Sequence, residues 1–443
     1  MSSETELTRR PLRVAMVHYR DSAHVGGSLR VGETIANHLD PRRVSAEMVF
    51  AYGSAGSVAG RARVPCHFIG AQGPKDLAAW LRARALFKKL RPDLIHFQDG
   101  VVWLRMALLG TPYKMAVHVH GRYRKVPKAR NLRHPPFSAS QMLRLYLRST
   151  DAQICINHGA RNSLLDLGWI SRESSHVVYN SIDSSRFDLK HDTVTARAHL
   201  GLPKNALLLG MVCRLVWEKG CADLLSIIER LPARWHGVIC GDGPERQQLV
   251  RLCKQRGLVD RIHFIGIQND VAPVYAALDA YAFLSRYEPF GLVLAEAMSA
   301  GVPIFGIEGD GEYKETEYPL ITGDNADLVA FDGSRNHESG LPVQILDGIA
   351  NRITNYSRRT DLYCAMIERA RVRANACFGA PIQAAAMMCV YEHLCRKPAD
   401  DPLQLTELYD STQRNALKEI AGLQTKTQGV PAAALLARST AVG

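Results

Sequence analysis

Residues 288–296 read EPFGLVLAE, two carboxylates with seven uncharged residues between them. Glu288 precedes Pro289, which steers it away from helical conformation into a loop or turn. Gly291 permits a tight turn or a close approach of backbone to a ligand. Residues 292–300 are good helix formers, and Gly301 with Pro303 supplies a stop signal. Glu288 is therefore expected in the loop before a helix, and Glu296 about one turn inside it. The free amides near Gly291, Leu292 and Val293 form an anion site at the helix start. An acid facing a bound phosphate would repel it, so each carboxylate makes chemical sense against hydroxyls; a carboxylate accepts two hydrogen bonds and suits a vicinal diol. A sugar nucleotide has two sets of hydroxyls with a diphosphate between them. The competing reading is an apolar helix carrying two solvated acids.

Other polar residues stand where they could join this chemistry. Arg214 and Lys219 lie just beyond an apolar run in CRLVWEKG, with Gly220 opening the next helix. A cationic pair there can hold a diphosphate, although a surface pair would look the same. Gly26 and Gly27 sit in the first loop, where backbone can approach phosphate or sugar; the spacing is not the G-x-G-x-x-G dinucleotide fingerprint. His120 ends a strand, while His18, His96 and His118 lie within strands as core or edge residues. Asn180 and Asp183 of NSID read as turn residues. The chain has no Asp-x-Asp, so a metal-held diphosphate of that kind lacks ligands, and no metal site is expected. Ten cysteines occur without any C-x-x-C pair, the pattern of buried free thiols in a reducing compartment.

The elements that must position these residues are legible as alternation. Residues 11–19, 91–97, 113–120, 151–157 and 174–180 are apolar runs suited to buried strands, and the first is followed by a loop and a helical pattern. The grammar restarts after residue 188, with strands at 205–215, 235–243 and in DRIHFIG, AYAFLS and GVPIFGI, separated by helical patterns. Such alternation predicts parallel, doubly wound α/β sheets. Ligands bind such sheets at the C-terminal ends of the strands, so two facing Rossmann-like halves imply a ligand cleft between them. The linker is placed near 181–192.

Charge is unevenly distributed. Residues 61–150 contain 18 Lys and Arg and three acids, against a net charge of +12 for the whole chain. Arg122, Arg124, Lys125, Lys128, Arg130 and Arg133 crowd residues 121–136, ahead of a short helix candidate with Met142, Leu143, Leu145, Tyr146 and Leu147. A basic region beside an apolar stretch suits an anionic membrane surface or an anionic acceptor, and equally a solvated face. No run of 18 apolar residues and no secretory h-region is found, which places the expected location in the cytoplasm, peripheral at most on the inner membrane face.

Taken in order, these motifs resemble retaining glycosyltransferases of the GT-B architecture, family 4. The likeness runs over residues 12–305: the double glycine in HVGGS, the histidine in VHVHG, NSID where the family has N-G-V-D, then CRLVWEKG, GDGPER, RIHFIG and EPFGLVLAEAMSAGVP, which carries the family's E-x7-E signature. The resemblance implies an acceptor-binding domain at 10–190, a nucleotide-sugar domain at 191–377, a helix at 378–400 returning to the first domain, and a tail at 401–443. It implies that Arg214 and Lys219 hold the diphosphate, Glu296 the ribose diol and Glu288 the transferred sugar, with His120 and Gly27 closing over it. Gly26, Gly266, Ile267, Phe290, Gly291, Leu292 and Val293 complete the donor site, and the base lies near residues 265–268. No cofactor is implied beyond the nucleotide-diphosphate sugar co-substrate; the partner is a glycan or lipid-linked acceptor, and no nucleic acid is expected. Asn157 and Ser181 depart from the family's usual Ser and Gly, and the acidic segment 308–317 replaces a glycine-rich loop. The alternatives are another GT-B enzyme, such as a nucleotide-sugar epimerase or a phosphorylase, and a non-catalytic basic RNA-binding or scaffold protein.

Overall fold

In the computed structural model the described residues are 10–22, 27–123, 139–187, 192–308, 325–331, 340–356 and 360–396. Gly26, Arg124, Lys125, Lys128, Arg130, Arg133, the acidic segment past Glu308 and the tail 401–443 lie outside them. The chain divides into two units: residues 1–181 with the helix Ala380–Arg396, and residues 182–379.

The first unit is built on seven parallel strands: β1 (Leu12–Arg20), β2 (Val44–Tyr52), β3 (Cys66–Ala71), β4 (Leu94–Phe97), β5 (Lys114–Val119), β6 (Ala152–Cys155) and β7 (Ser175–Val177). Their order is β3-β2-β1-β4-β5-β6-β7, with Val14 beside Leu94 and Leu12 beside Val44. The helices are α1 (Gly27–His38), α2 (Leu77–Leu90), α3 (Val102–Ala107), α4 (Ala139–Arg148) and α5 (His158–Asp166). Starts follow from side chains that satisfy the first free amides: Asp76 accepts from Ala79 N at 2.9 Å, and Asn157 from Ala160 N at 2.7 Å. Asn157, a departure at sequence level, is thus the cap of α5. Its substitute role needs only an acceptor oxygen, which Asn and Ser both carry.

The second unit has six parallel strands: β8 (Leu207–Val212), β9 (Trp235–Cys240), β10 (Ile262–Gly266), β11 (Ala280–Phe283), β12 (Ile304–Glu308) and β13 (Asp327–Ala330), in the order β10-β9-β8-β11-β12-β13. Helices α6 (Thr193–His199), α7 (Cys221–Arg230), α8 (Arg246–Gln255), α9 (Ala272–Ala277), α10 (Leu292–Ser299), α11 (Val343–Tyr356) and α12 (Thr360–Phe378) belong to it. Buried Leu224, Ile227 and Ile228 of α7 pack with Leu209, Trp235, Ile239 and Phe305 into one apolar cluster. The inner strands β8, β9, β11 and β12 are buried at successive positions and so on both faces, which is why they read as continuous apolar runs.

The last helix among the described residues, α13 (Ala380–Arg396), belongs to the first unit. Arg43 donates to Glu392 at 2.6 Å, Ser181 Oγ donates to Gln383 at 2.6 Å, and Tyr391 Oη lies 2.7 Å from His96 Nδ1. Ser181, the second sequence departure, therefore anchors this helix, a bond glycine cannot make. Immediately after it, Ile182 N donates to Phe378 O at 2.9 Å inside the second unit.

An unusual feature of the first unit is its buried histidines. His18 and His96 are fully buried and His118 and His176 nearly so. Loss of water disfavours their cationic forms: His18 is pushed down to about 4, His96 to about 3, His176 to about 4, and His118 well below its ordinary value. An unfolded histidine titrates near 6.5. The unfolded chain therefore binds more protons between about 6.5 and about 4, so stability is full above 6.5 and falls as pH drops through that window. Thermal melts between pH 7.5 and 4.5 should show this decline, and His176→Leu should make it shallower. An unchanged slope in that variant would remove His176 from the account.

Candidate functional site

Each sheet reverses its strand order at one place, between β1 and β4 in the first unit and between β8 and β11 in the second. Such switch points open a crevice at the carboxyl ends of the strands. In the second unit, residues 213–220 follow β8 and residues 284–291 follow β11; Arg214, Lys219 and Glu288 come from these two segments, and Glu296 from α10 just beyond the second.

The segment after β8 makes a 3-10 turn, Trp217–Lys219, and ends at Gly220 with φ 72°. Gly220 is also the N-cap of α7, and a Cβ there would lie 2.6 Å from Leu284 O. Only glycine combines that left-handed backbone with that approach. Lys219 Nζ donates to Glu288 Oε2 at 2.6 Å, joining the two segments through side chains that are each less than a quarter exposed. Arg214 is exposed at the end of the same strand.

Holding this arrangement is a residue that sequence reading passed over. Arg286 is 6% exposed and pairs with Asp223 of α7, 2% exposed, at 2.8 Å. Its guanidinium also donates to Trp217 O at 3.0 Å and lies 4.5 Å from the centre of the Trp217 ring. Its backbone N donates to Glu218 O at 2.6 Å. The other oxygen of Asp223 accepts from Leu341 N at 2.8 Å. Arg286 thus fixes the turn that presents Lys219, two residues before Glu288. The sequence signal was weak, an arginine in SRYEPFG with no visible partner, because Asp223 is distant in the chain.

Gly291 caps α10 with φ 93°, and a Cβ there would meet Leu294 Cδ1 at 2.9 Å and Glu288 Cγ at 3.3 Å. Leu292 and Val293 follow in the first turn, half-buried, and Phe290 is buried with its ring edge-on to Phe378 at 5.6 Å. Glu296 is 7% exposed, and Tyr275 Oη donates to its Oε2 at 2.8 Å. Burial and the neighbouring Glu296 carboxylate both hold the Tyr275 hydroxyl well above its ordinary range, so it stays a donor. Tyr275 was not anticipated either. Gly266 ends β10 with φ 68°, and Ile267 follows it.

In the first unit, His120 follows β5, and its ring stacks on His118 at 4.4 Å; His118 stacks on His96 at 5.2 Å. Burial pushes His120 down, against Asp99 and the Gln98 backbone, which push it up. The rings at the β1, β4 and β5 ends are therefore neutral near pH 7, able to give and take hydrogen bonds without adding charge. Gly27 is the first residue of α1. Arg122 packs over α5, its guanidinium 2.9 Å from where a Cβ on Gly159 would sit.

Removing one partner of a buried ion pair leaves an uncompensated charge, which costs roughly 3–5 kcal/mol. Arg286→Met should lower the unfolding free energy by about that much in urea titrations. The double variant Arg286→Met/Asp223→Leu should recover part of the loss, and a single variant as stable as the parent would show the pair is not a structural tie.

The family described as Glycosyltransferase Family 4 matches residues 25–186, and that described as Glycosyl transferases group 1 matches residues 192–323. The lipopolysaccharide core biosynthesis glycosyltransferase LpsE of Rhizobium meliloti is 31% identical over 166 residues, 38% of this chain and 46% of that protein. The N-acetyl-alpha-D-glucosaminyl L-malate synthase of Bacillus anthracis is 26% identical over 268 residues, 58% of this chain and 68% of that protein. The chain thus spans about half to two thirds of the length of these relatives. The crystal structure of Anabaena HepE in complex with UDP and glucose superposes with TM-score 0.67, covering 86% of this chain and 99% of that one at 19% identity, a likeness of fold.

Proposed function

The chain belongs to the group 1 glycosyltransferases of GT-B architecture, and from that premise we propose that it moves a sugar from a nucleotide-diphosphate sugar to an acceptor hydroxyl with retention of configuration. The observation that carries this reading is the convergence of Lys219, Glu288, Gly291 and Glu296 beside one switch point. Arg214, Lys219 and the α10 amides take the diphosphate. Lysine offers three donors, so binding Glu288 leaves Lys219 capacity for phosphate oxygens. As the sugar–phosphate bond breaks, charge grows on the leaving diphosphate, and donors already in position stabilise it without reorganisation. The reading is metal-independent because that charge falls to side chains and amides.

Glu296, oriented by Tyr275, accepts from the ribose diol. Glu288 lies on the transferred sugar and favours positive charge at its anomeric carbon; it is an electrostatic and positioning group rather than a nucleophile. The acceptor enters on the face the leaving group departs from. A HepE structure contains UDP and glucose, and LpsE is named for lipopolysaccharide core biosynthesis, which favours a nucleotide-sugar donor and a surface-glycan acceptor here.

One surface favours an acceptor carried on an anionic membrane. Arg84 of α2 donates to Ala107 O and Leu109 O, and Arg105 of α3 to Ser149 O just after α4, so the three helices adjoin. They leave Leu77, Leu81, Met106, Leu109, Met142 and Leu145 exposed. Arg82, Lys88, Lys89, Arg144 and Arg148 belong to the same helices. Each Lys or Arg near an anionic bilayer contributes about 1 kcal/mol, so a handful gives reversible attachment. Among the described residues no helix is long and apolar enough to cross a membrane.

A panel of nucleotide sugars tests the donor: the right one at 100 times its Kd should add about 2.7 kcal/mol of stability. Glu296→Ala should weaken donor binding, whereas Arg214→Ala should reduce kcat more than it raises KM, one such contact being worth about 3 kcal/mol in the transition state. Turnover of the donor without acceptor would favour an epimerase, and activity abolished by EDTA and restored only by a divalent ion would end the metal-independent reading. Sedimentation with vesicles should increase with anionic lipid and fall with salt, and Leu81→Ser/Leu145→Ser should reduce it. Binding indifferent to lipid charge and to salt would reject the membrane surface.

A further inference from the structure

Cys213 opens the segment that follows β8 and Cys221 opens α7, so the two thiols bracket the turn that presents Lys219. Their sulfurs lie 3.5 Å apart, and both are free. Cys221 is fully buried, whereas Cys213 is half-buried. A disulfide needs its sulfurs about 2.05 Å apart, so closure requires an approach of about 1.5 Å. We propose that Cys213 and Cys221 are a reversible oxidation site, at which a peroxide converts the pair to an intramolecular disulfide that closes the turn between them.

The electron balance is simple. Cys213, the more accessible sulfur, attacks one oxygen of hydrogen peroxide; the O–O bond breaks, water leaves, and a sulfenic acid forms. The Cys221 sulfur then attacks the Cys213 sulfur, the S–O bond breaks, and the departing hydroxide leaves as a second water with the thiol proton. Two thiols have lost two electrons to one peroxide, and a thiol reductant reverses the step. The hydrogen bond shared with Cys221 and burial hold the Cys213 thiol well above its ordinary range, with Lys219 opposing them. Thiolate is the attacking form, so the reaction quickens as pH rises and the site resists mild oxidant at neutral pH.

The backbone decides what moves. Cys213 N donates to Cys240 O at 3.0 Å, and a Cβ on Gly241 would lie 1.9 Å from Cys213 O, so Cys213 is locked against the end of β9. Cys221 is tied through Gly220, whose carbonyl accepts from Asp223 N and Leu224 N. Displacement therefore falls on the intervening turn and on the Lys219–Glu288 pair. The effect on activity rests on the donor site proposed above; formation of the bond does not.

Full-length protein is treated with hydrogen peroxide at pH 7 and pH 9, alkylated, and digested with trypsin without reduction. The expected product is a cross-link between peptides 205–214 and 220–230, lighter by two hydrogens than their sum, formed faster at pH 9 and erased by dithiothreitol. Cys221→Ser should give no cross-link and let Cys213 proceed to the sulfinic acid. Oxidation of Cys213 without a link to Cys221, or a link to Cys240 in peptide 235–246, overturns the proposal. In a parallel arm, the oxidised parent should lose its thermal stabilisation by the nucleotide sugar identified above, and oxidised Cys221→Ser should keep it. A cross-link that leaves that stabilisation intact upholds the thiol pair and counts against the donor placement at Lys219.

Discussion

The second unit depends on one buried arginine. Water is excluded from Arg286 and Asp223, so each charge is stable only because the other is there and because further partners satisfy what remains: Trp217 O and its ring for the guanidinium, Leu341 N for the carboxylate. The same mutual dependence makes the arrangement specific. The turn Trp217–Lys219, the start of α7 and the segment before α10 must all be in register before Arg286 is paired, and once they are, Lys219 and Glu288 are within 2.6 Å. A site held by flexible surface charges would carry no such geometric information.

The two units share a strand topology and differ in the chemistry at the switch point. Carboxylates and cations pair beside β8 and β11, where opposite charges offset the loss of hydration. Beside β1, β4 and β5 stands a stack of aromatic rings kept neutral by burial, with the Tyr391 hydroxyl against His96.

Much of this was legible in the sequence, and the rest was hidden for identifiable reasons. Alternating apolar runs give parallel sheets because both faces are covered, and Glu288 before a proline and Glu296 inside a helix were placed by local backbone rules alone. Arg286, Asp223 and Tyr275 escaped because their significance comes from partners distant in the chain, which no local spacing encodes. The strand histidines read as core or edge residues, and they are core; their mutual stacking depends on β4 and β5 being neighbours and on Tyr391, 295 residues from His96. Strands β2 and β3 were not singled out; β3 is only partly buried at its start, whereas β2, buried along most of its length, carries Ser45 and Glu47 among its apolar residues.

The return of α13 to the first unit has a consequence for biosynthesis. A ribosome releases residues 1–181 long before residues 380–396, so the domain made first is the domain finished last. Until Tyr391, Gln383 and Glu392 emerge, His96, Ser181 and Arg43 lack their partners. The second unit's residues 182–379 are by then already available to fold. Order of assembly is thus inverted relative to order of translation, and a chain cut short before residue 380 would damage its beginning more than its end.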